Sequence, residues 1–391
     1  MSLVRVAAAQ FHVDNDLPAN LERCLAAIEQ AAAGGAQLLV LPEFCNHLSW
    51  YQDKAHCWDV SVELDGAWLR AVSAKAREHS IFVVANATIR RDAETVTGTS
   101  LLYDPNGVLL AESDKQVLMG HENDFLQRAQ KVCPIVETSI GRIGMYSCMD
   151  GVINETPRSL ALRGAQILCN SLNSFAYDEG DLHVPVRAPE NRAWVIAANK
   201  VGPLIPTHML EPVSAVTHIP VPNLYGAGDS QVVAPDGEVL VRADRSTPGV
   251  VFADIDPSRA DDKTRPDGTD VFASRRPTLY KAIGEAPAAP MMEPGEPEVR
   301  AAVYQPLASG ADAIEEVAKV LRTLSGDVTL LVLPELYCFE DAVIGDDLRQ
   351  AQFRSQWALE SIMENCPPQT VVVTSLLREG RNTGVVLSSV G

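Results

Sequence analysis

The chain has 391 residues, 46% of them hydrophobic and 21% charged, a globular composition with room for two domains and a core that needs no metal or disulfide staples. Its formal net charge of -19 excludes a nucleic-acid partner, because neutralising phosphates requires a basic stripe and the acids here are scattered. Eight cysteines without a CxxC pair, no signal-peptide pattern and no apolar run of bilayer length point to a cytoplasmic protein with free thiols and no membrane partner.

The pattern opens as strand, helix, strand. Val4 to Ala9 is a short apolar run, Asn15 or Asp16 can cap a helix with Pro18 in its first turn, and Leu21, Leu25, Ile28 and Ala32 share a helical face. Gly34-Gly35 stops that helix, and the apolar run from Gln37 to Leu41 ends at Pro42-Glu43. A second helix carries Trp68, Leu69, Val72 and Ala76, followed by a strand from Ile81 to Thr88. Asp104-Pro105-Asn106-Gly107 reads as a hairpin turn, and Asp236-Gly237 as another. Further strands are predicted at Arg142 to Ser147, Gln166 to Cys169, Trp194 to Asn199, Gln231 to Ala234 and Val250 to Ile255. Helices alternating with strands, with hairpins between, predict a layered α/β sheet of mixed direction.

A proline-rich stretch at 284–298 reads as an extended linker between a domain at 1–283 and a segment at 299–391. The segment echoes the amino terminus. Val299 to Gln305 resembles Val4 to Gln10, and Leu331-Val332-Leu333-Pro334-Glu335 resembles Leu39-Val40-Leu41-Pro42-Glu43. The echo fades at Thr383 to Ser388, so the segment looks like a partial internal duplication without counterparts of Lys115 or Cys148.

Three residues carry candidate chemistry. Cys148 follows a strand and precedes a helix, an elbow expected to expose the thiol at a sheet edge, where the helix amino terminus favours a thiolate. Glu43 ends a buried strand, where apolar surroundings raise a carboxyl towards a useful base. Lys115 follows the first hairpin and offers a fixed cation. Taken singly, each is better explained as a core thiol, a loop acid and a solvated lysine.

In their order and setting the three resemble the nitrilase, or carbon–nitrogen hydrolase, superfamily. Gly141-Arg142-Ile143-Gly144, Cys148-x-Asp150, Glu190-Asn191-Arg192, Ala197 to Gly202 and Gly228-Asp229-Ser230 are similar to the family too. The resemblance implies a four-layer αββα sandwich, followed here by the partial duplicated α/β unit, and a homodimer or larger assembly. It also implies a cysteine hydrolase of non-peptide C–N bonds, an amidase forming a thioester, that needs no cofactor or metal. Glu43 is then the base, Cys148 the nucleophile, and Lys115 with the Met149 N–H the oxyanion site, with Glu122 as a second glutamate. Asn170, His183 and Tyr51 are candidate pocket residues; turn, structural or packing roles are their alternatives.

Two departures narrow the substrate. Met149-Asp150 stands where nitrilases carry Trp-Glu, which favours a small amide over a nitrile. Gly151-Val152-Ile153-Asn154 lacks an arginine to grip a substrate carboxylate, which favours a neutral amide. An N-carbamoyl amidohydrolase and then a nitrilase are the alternatives within enzymes; a catalytically silent scaffold is the alternative outside them. Glu335, the echo of Glu43, is expected to be a relic.

Overall fold

The computed structural model describes residues 3–285, 299–340 and 348–389, so most of the expected linker lies outside the described residues. The chain divides into two compact units, Met1–Tyr280 and Lys281–Gly391.

The first unit begins with β1 (Val4–Gln10), α1 (Leu17–Ala33) and β2 (Leu38–Val40). Asp16 caps α1 by accepting the Ala19 N–H at 3.0 Å, with Pro18 in the first turn. The buried stripe of α1 is Asn20, Cys24, Ala27, Ile28 and Ala31, one position off the expected face. Small side chains let the helix lie close on the sheet, while Leu21 and Leu25 pack at its flank. Asn20 is tolerated inside because its amide donates to the Asp14 and Asn46 carbonyls.

After α2 (Lys54–Val60), β3 (Val62–Glu63) and α3 (Ala67–His79) come β4 (Phe82–Arg90), β5 (Val96–Tyr103) and β6 (Leu109–Asp114). These strands form one sheet in the order β13-β1-β2-β4-β5-β6, closed by β13 (Gly249–Ile255), with β3 beside β4. The second sheet follows α4 (Glu122–Phe125). It comprises β7 (Ile135–Thr138), β8 (Gly141–Ser147), β9 (Ile167–Ser171), β10 (Trp194–Ala198), β11 (Gln231–Val233) and β12 (Val239–Arg242), in the order β12-β11-β10-β9-β8-β7. Helices α5 (Met149–Val152), α6 (Glu155–Leu162) and α7 (Val184–Asn191) connect its central strands.

Both faces of the central strands are buried, so they read as continuous apolar runs. Val6, Ala8, Leu38, Val40 and Val84 of the first sheet pack with Ile143, Met145, Ile167, Cys169 and Ile196 of the second. On the outer faces, Ala7, Leu39 and Val83 meet α1 and α3, and Leu168, Val195 and Ala197 meet α6 and α7. The layers are therefore helix, sheet, sheet, helix. In the middle of each sheet three parallel strands, β1-β2-β4 and β8-β9-β10, set their carboxyl ends where a cleft can form.

The second unit contains β14 (Ala301–Val303), α8 (Gly310–Thr323), β15 (Leu330–Glu335), α9 (Leu348–Asn365), β16 (Val371–Arg378) and β17 (Arg381–Leu387). Its sheet runs β14-β15-β16-β17, with two parallel pairings and then an antiparallel one, the same directions as β1-β2-β4-β5. Its own core includes Ile314, Val317, Leu331, Leu333, Ile362, Val372 and Leu376. Among the described residues no helix is long and apolar enough to cross a membrane.

Candidate functional site

Glu43 sits two residues past Leu41, in a turn held from both sheets. Its N–H donates to the Leu172 carbonyl at 3.1 Å, just beyond β9, and the Ser171 hydroxyl donates to the Leu41 carbonyl at 2.8 Å. Asn86 of β4 holds the next two residues, accepting the Phe44 N–H on its side chain and the Cys45 N–H on its backbone, each at 2.8 Å. Phe44 adopts a φ of 46°, a costly conformation for a bulky residue that these bonds enforce. A Cβ on Gly98 would come within 2.7 Å of the Phe44 ring, so glycine at that point of β5 lets the ring in.

Lys115 follows β6, its N–H tied to the Gly98 carbonyl. Its ammonium is buried, 2.9 Å from Glu43 Oε1 and 2.8 Å from Glu122 Oε2. Toward Glu122 it also donates a hydrogen bond at 3.0 Å; toward Glu43 the contact lacks that alignment, and both Glu43 oxygens have no donor. Glu122 is fixed from its other side by the Met119 N–H. Burial pushes the Glu43 carboxyl up to about 7 despite Lys115, and the two carboxylates hold the Lys115 ammonium charged against its own desolvation.

Cys148 closes β8 with φ 45° and ψ -107°, a strained elbow of the kind that clusters at reactive sites. Its N–H is shared between the Ser171 carbonyl at 2.9 Å and Asn170 Oδ1 at 3.2 Å. Asn170 thus aims its oxygen at the elbow's backbone. The thiol is not exposed at an edge as the sequence suggested: β8 lies between β7 and β9, and Cys148 is 6% exposed. Nor does the short α5 leave it a thiolate. Burial, with Glu179 and Glu43 beside it, lifts the thiol well above its ordinary range, and Lys115 only partly opposes them. The thiol therefore keeps its proton, with the raised Glu43 carboxyl beside it.

Asp150 is the joint between the cysteine turn and the lysine loop. Its Oδ1 accepts the Gln116 and Val117 N–H groups at 3.1 and 2.8 Å, and its Oδ2 the Ser147 N–H at 3.4 Å. Tyr51 is buried, edge-on to Phe125, and its hydroxyl has no partner. His183 is partly exposed, with Nε2 3.8 Å from Asp178. Met149 opens α5 directly after the nucleophile candidate. The structure brings Glu43, Lys115, Glu122 and Cys148 together and leaves His183 at the periphery.

Two groups escaped the sequence reading. Lys200, just past β10, is fully buried; its amine has no hydrogen-bond partner and stands 5.9 Å from the Phe44 ring centroid, with Lys115 at 5.3 Å from the same ring. Burial draws it down to about 8, although Glu43, Cys45 and Cys148 pull the other way. Glu179 is 4% exposed, with Oε1 unpartnered. The signal for Lys200 was positional: it follows a parallel strand at the same end of the sandwich as Glu43 and Cys148. Glu179 lies in a π-helical turn, Glu179–His183, with no periodicity to read.

An αββα sandwich with this set at its strand ends is the architecture of hydrolases that cleave carbon–nitrogen bonds outside peptides. The similarities to known proteins agree. The nitrilase and fragile histidine triad fusion protein of Caenorhabditis elegans is 28% identical over 70% of this chain, which spans 61% of that longer protein. The omega-amidase NIT2 of Bos taurus is 27% identical, covering 72% of this chain and 98% of its own. The crystal structure of an amidase from Nesterenkonia sp. superposes with a TM-score of 0.60 at 25% identity, covering 72% of this chain and 97% of that one. The chain belongs to the carbon-nitrogen hydrolase family, whose pattern it matches over residues 5–264.

Proposed function

We propose that the chain is an amidase that forms a thioester on Cys148 from a small amide. The observation that carries this reading is the buried Lys115 ammonium within 3 Å of both Glu43 and Glu122, beside a protonated thiol. Glu43 takes the Cys148 proton as sulfur attacks the amide carbon. Lys115 and the Met149 N–H stabilise the tetrahedral oxyanion. Glu43 returns the proton to the departing amine or ammonia, then draws a proton from water, whose oxygen attacks the thioester and releases the acid and the thiol. Glu122 holds Lys115 in place throughout. The amidase relatives in cattle and Nesterenkonia support the amide as substrate.

The test is intact mass spectrometry of the full chain with butyramide, alongside ammonia release. An acyl adduct, present in the parent and absent in Cys148→Ala, is the expected result. No adduct and no ammonia across a panel of small amides would favour a silent scaffold. Carbon dioxide release from N-carbamoyl compounds, with amides inert, would move the reading to a carbamoyl amidohydrolase.

The same proposal places the reaction in the first unit, of a cytoplasmic homodimer or larger assembly, and reads the second unit as a partial duplicate. Its support is the shared strand order and directions, together with the second Leu-Pro-Glu. Sedimentation of the full chain as a monomer would remove the assembly.

A further inference from the structure

Glu179 is a buried acid that the mechanism above does not use. It lies in the π-helical turn packed against α5, the helix that begins at Cys148, and its carboxyl is close enough to the thiol to oppose the thiolate. The other buried acids at the site each have a cation or donors close by. Glu43 and Glu122 share the Lys115 ammonium, and Asp150 accepts three backbone N–H groups. Glu179 has the Ser174 hydroxyl nearby, yet Oε1 has no donor. Leaving such an atom bare inside the protein is costly.

The turn that carries it is clamped. Gln231 donates to the Gly180 carbonyl at 2.9 Å, and Asp181 pairs with Arg242 and Arg245, which also hold Asp229. A Cβ on Gly180 would meet Asp229 at 2.8 Å, so this turn packs tightly where it stands. A carboxyl with one bare oxygen, fixed this way, is a pre-organised acceptor for a donor that arrives from outside.

We propose that Glu179 selects amides whose acyl chain carries a protonated amine. The inference rests on the amidase reading and sharpens its substrate from a neutral amide to a cationic one. The buried carboxyl groups here are Glu43, Glu122, Asp150 and Glu179; the buried cations are Lys115, Lys200 and Arg187, the last already held by the Gly151 carbonyl and Glu190. A substrate carboxylate adds to that excess, an alkyl amide leaves Oε1 bare, and an ammonium answers both. Burial holds the Glu179 carboxyl above its ordinary range, a penalty an arriving cation relieves. The chain's net charge of -19 draws the same ligands by long-range steering.

The test compares γ-aminobutyramide, butyramide and succinamate, matched in length, by calorimetric titration of full-length Cys148→Ala. Binding of γ-aminobutyramide about tenfold or more tighter than butyramide is expected, with succinamate weakest. In the Cys148→Ala/Glu179→Gln protein the first two affinities converge to within about threefold, and Glu179→Asp recovers part of the difference. Equal affinities in Cys148→Ala, or a preference that survives Glu179→Gln, would overturn the proposal; so would no binding by any of the three. The comparison among ligands in Cys148→Ala needs no Glu179 variant, so equal affinities there overturn the proposal even where a Glu179 variant misfolds. Ammonia release and the Cys148 adduct in the parent report separately: preferential binding without either keeps Glu179's role and removes the amidase.

Discussion

Leu41-Pro42-Glu43 and Leu333-Pro334-Glu335 are the same tripeptide in the same backbone setting, with opposite surroundings. The first follows a parallel strand, β2, and the second ends one, β15; each precedes a residue of positive φ, 46° at Phe44 and 48° at Leu336. Each of those residues donates its N–H to a side chain of the next strand, Phe44 to Asn86 at 2.8 Å and Leu336 to Ser375 at 3.1 Å. Yet Glu43 is fully buried against Lys115, whereas Glu335 is exposed and takes a hydrogen bond from Asn382. The strand end and its turn place a carboxylate. Among the described residues, only the first unit buries it beside a fixed cation.

Turnover separates the two glutamates most widely. Glu43→Gln is expected to lower kcat for amide hydrolysis by ~10²–10⁴-fold, the usual contribution of a positioned base. Glu335→Gln is expected to leave kcat within about twofold, since a solvated acid makes no such contribution. Steady-state ammonia release reads both. Comparable losses in the two variants would mean that the second glutamate serves the reaction after all.

Stability separates the two sites next. Lys115→Met leaves Glu43 and Glu122 as buried carboxyls without their paired cation, at a cost of about 3–5 kcal/mol. Among the described residues Glu335 has no ion pair to break. Phe44→Gly relieves a positive φ but empties a fully buried ring site between two ammonium groups, costing about 3–5 kcal/mol. Leu336→Gly trades the same relief against a half-buried side chain and extra chain entropy, for a net change within about 1 kcal/mol. Urea titration of each variant gives the values.

The sequence made the strands and the order of Glu43, Lys115 and Cys148 legible because buried parallel strands are written as unbroken apolar runs. What it could not convey was depth. Nothing in Glu-Ser-Asp-Lys marks Lys115 as buried, because that follows from two glutamates arriving from other segments. The α1 face was misplaced by a residue because alanines weigh little in a periodicity yet decide how closely a helix can sit. Asp150 was visible only as part of Cys-x-Asp, and its role as a joint needs the Gln116 and Val117 backbone from a different loop. Glu179 carries no pattern of its own, and Lys200 only its place in the stretch Ala197 to Gly202; both become informative when their unpartnered atoms are seen inside the protein.

The finest test concerns what tunes Glu43. If its carboxylate is the base, kcat/KM rises as pH passes through about 7, because burial has raised the carboxyl and only the ionised form accepts the thiol proton. Lys200, drawn down to about 8, is still mostly charged there and favours the ionised carboxylate. Lys200→Met removes that cation, so the Glu43 carboxyl is expected to rise further and the limb to move to higher pH by about one unit, or ~1.4 kcal/mol. Lys200→Arg keeps the charge and should hold the limb near its original place. Glu335→Gln should not move it, because no buried cation couples that carboxylate to the reaction. A limb that stays put in Lys200→Met would confine the tuning of Glu43 to Lys115 and to burial, and would leave Lys200 as a packed lysine under the Phe44 ring.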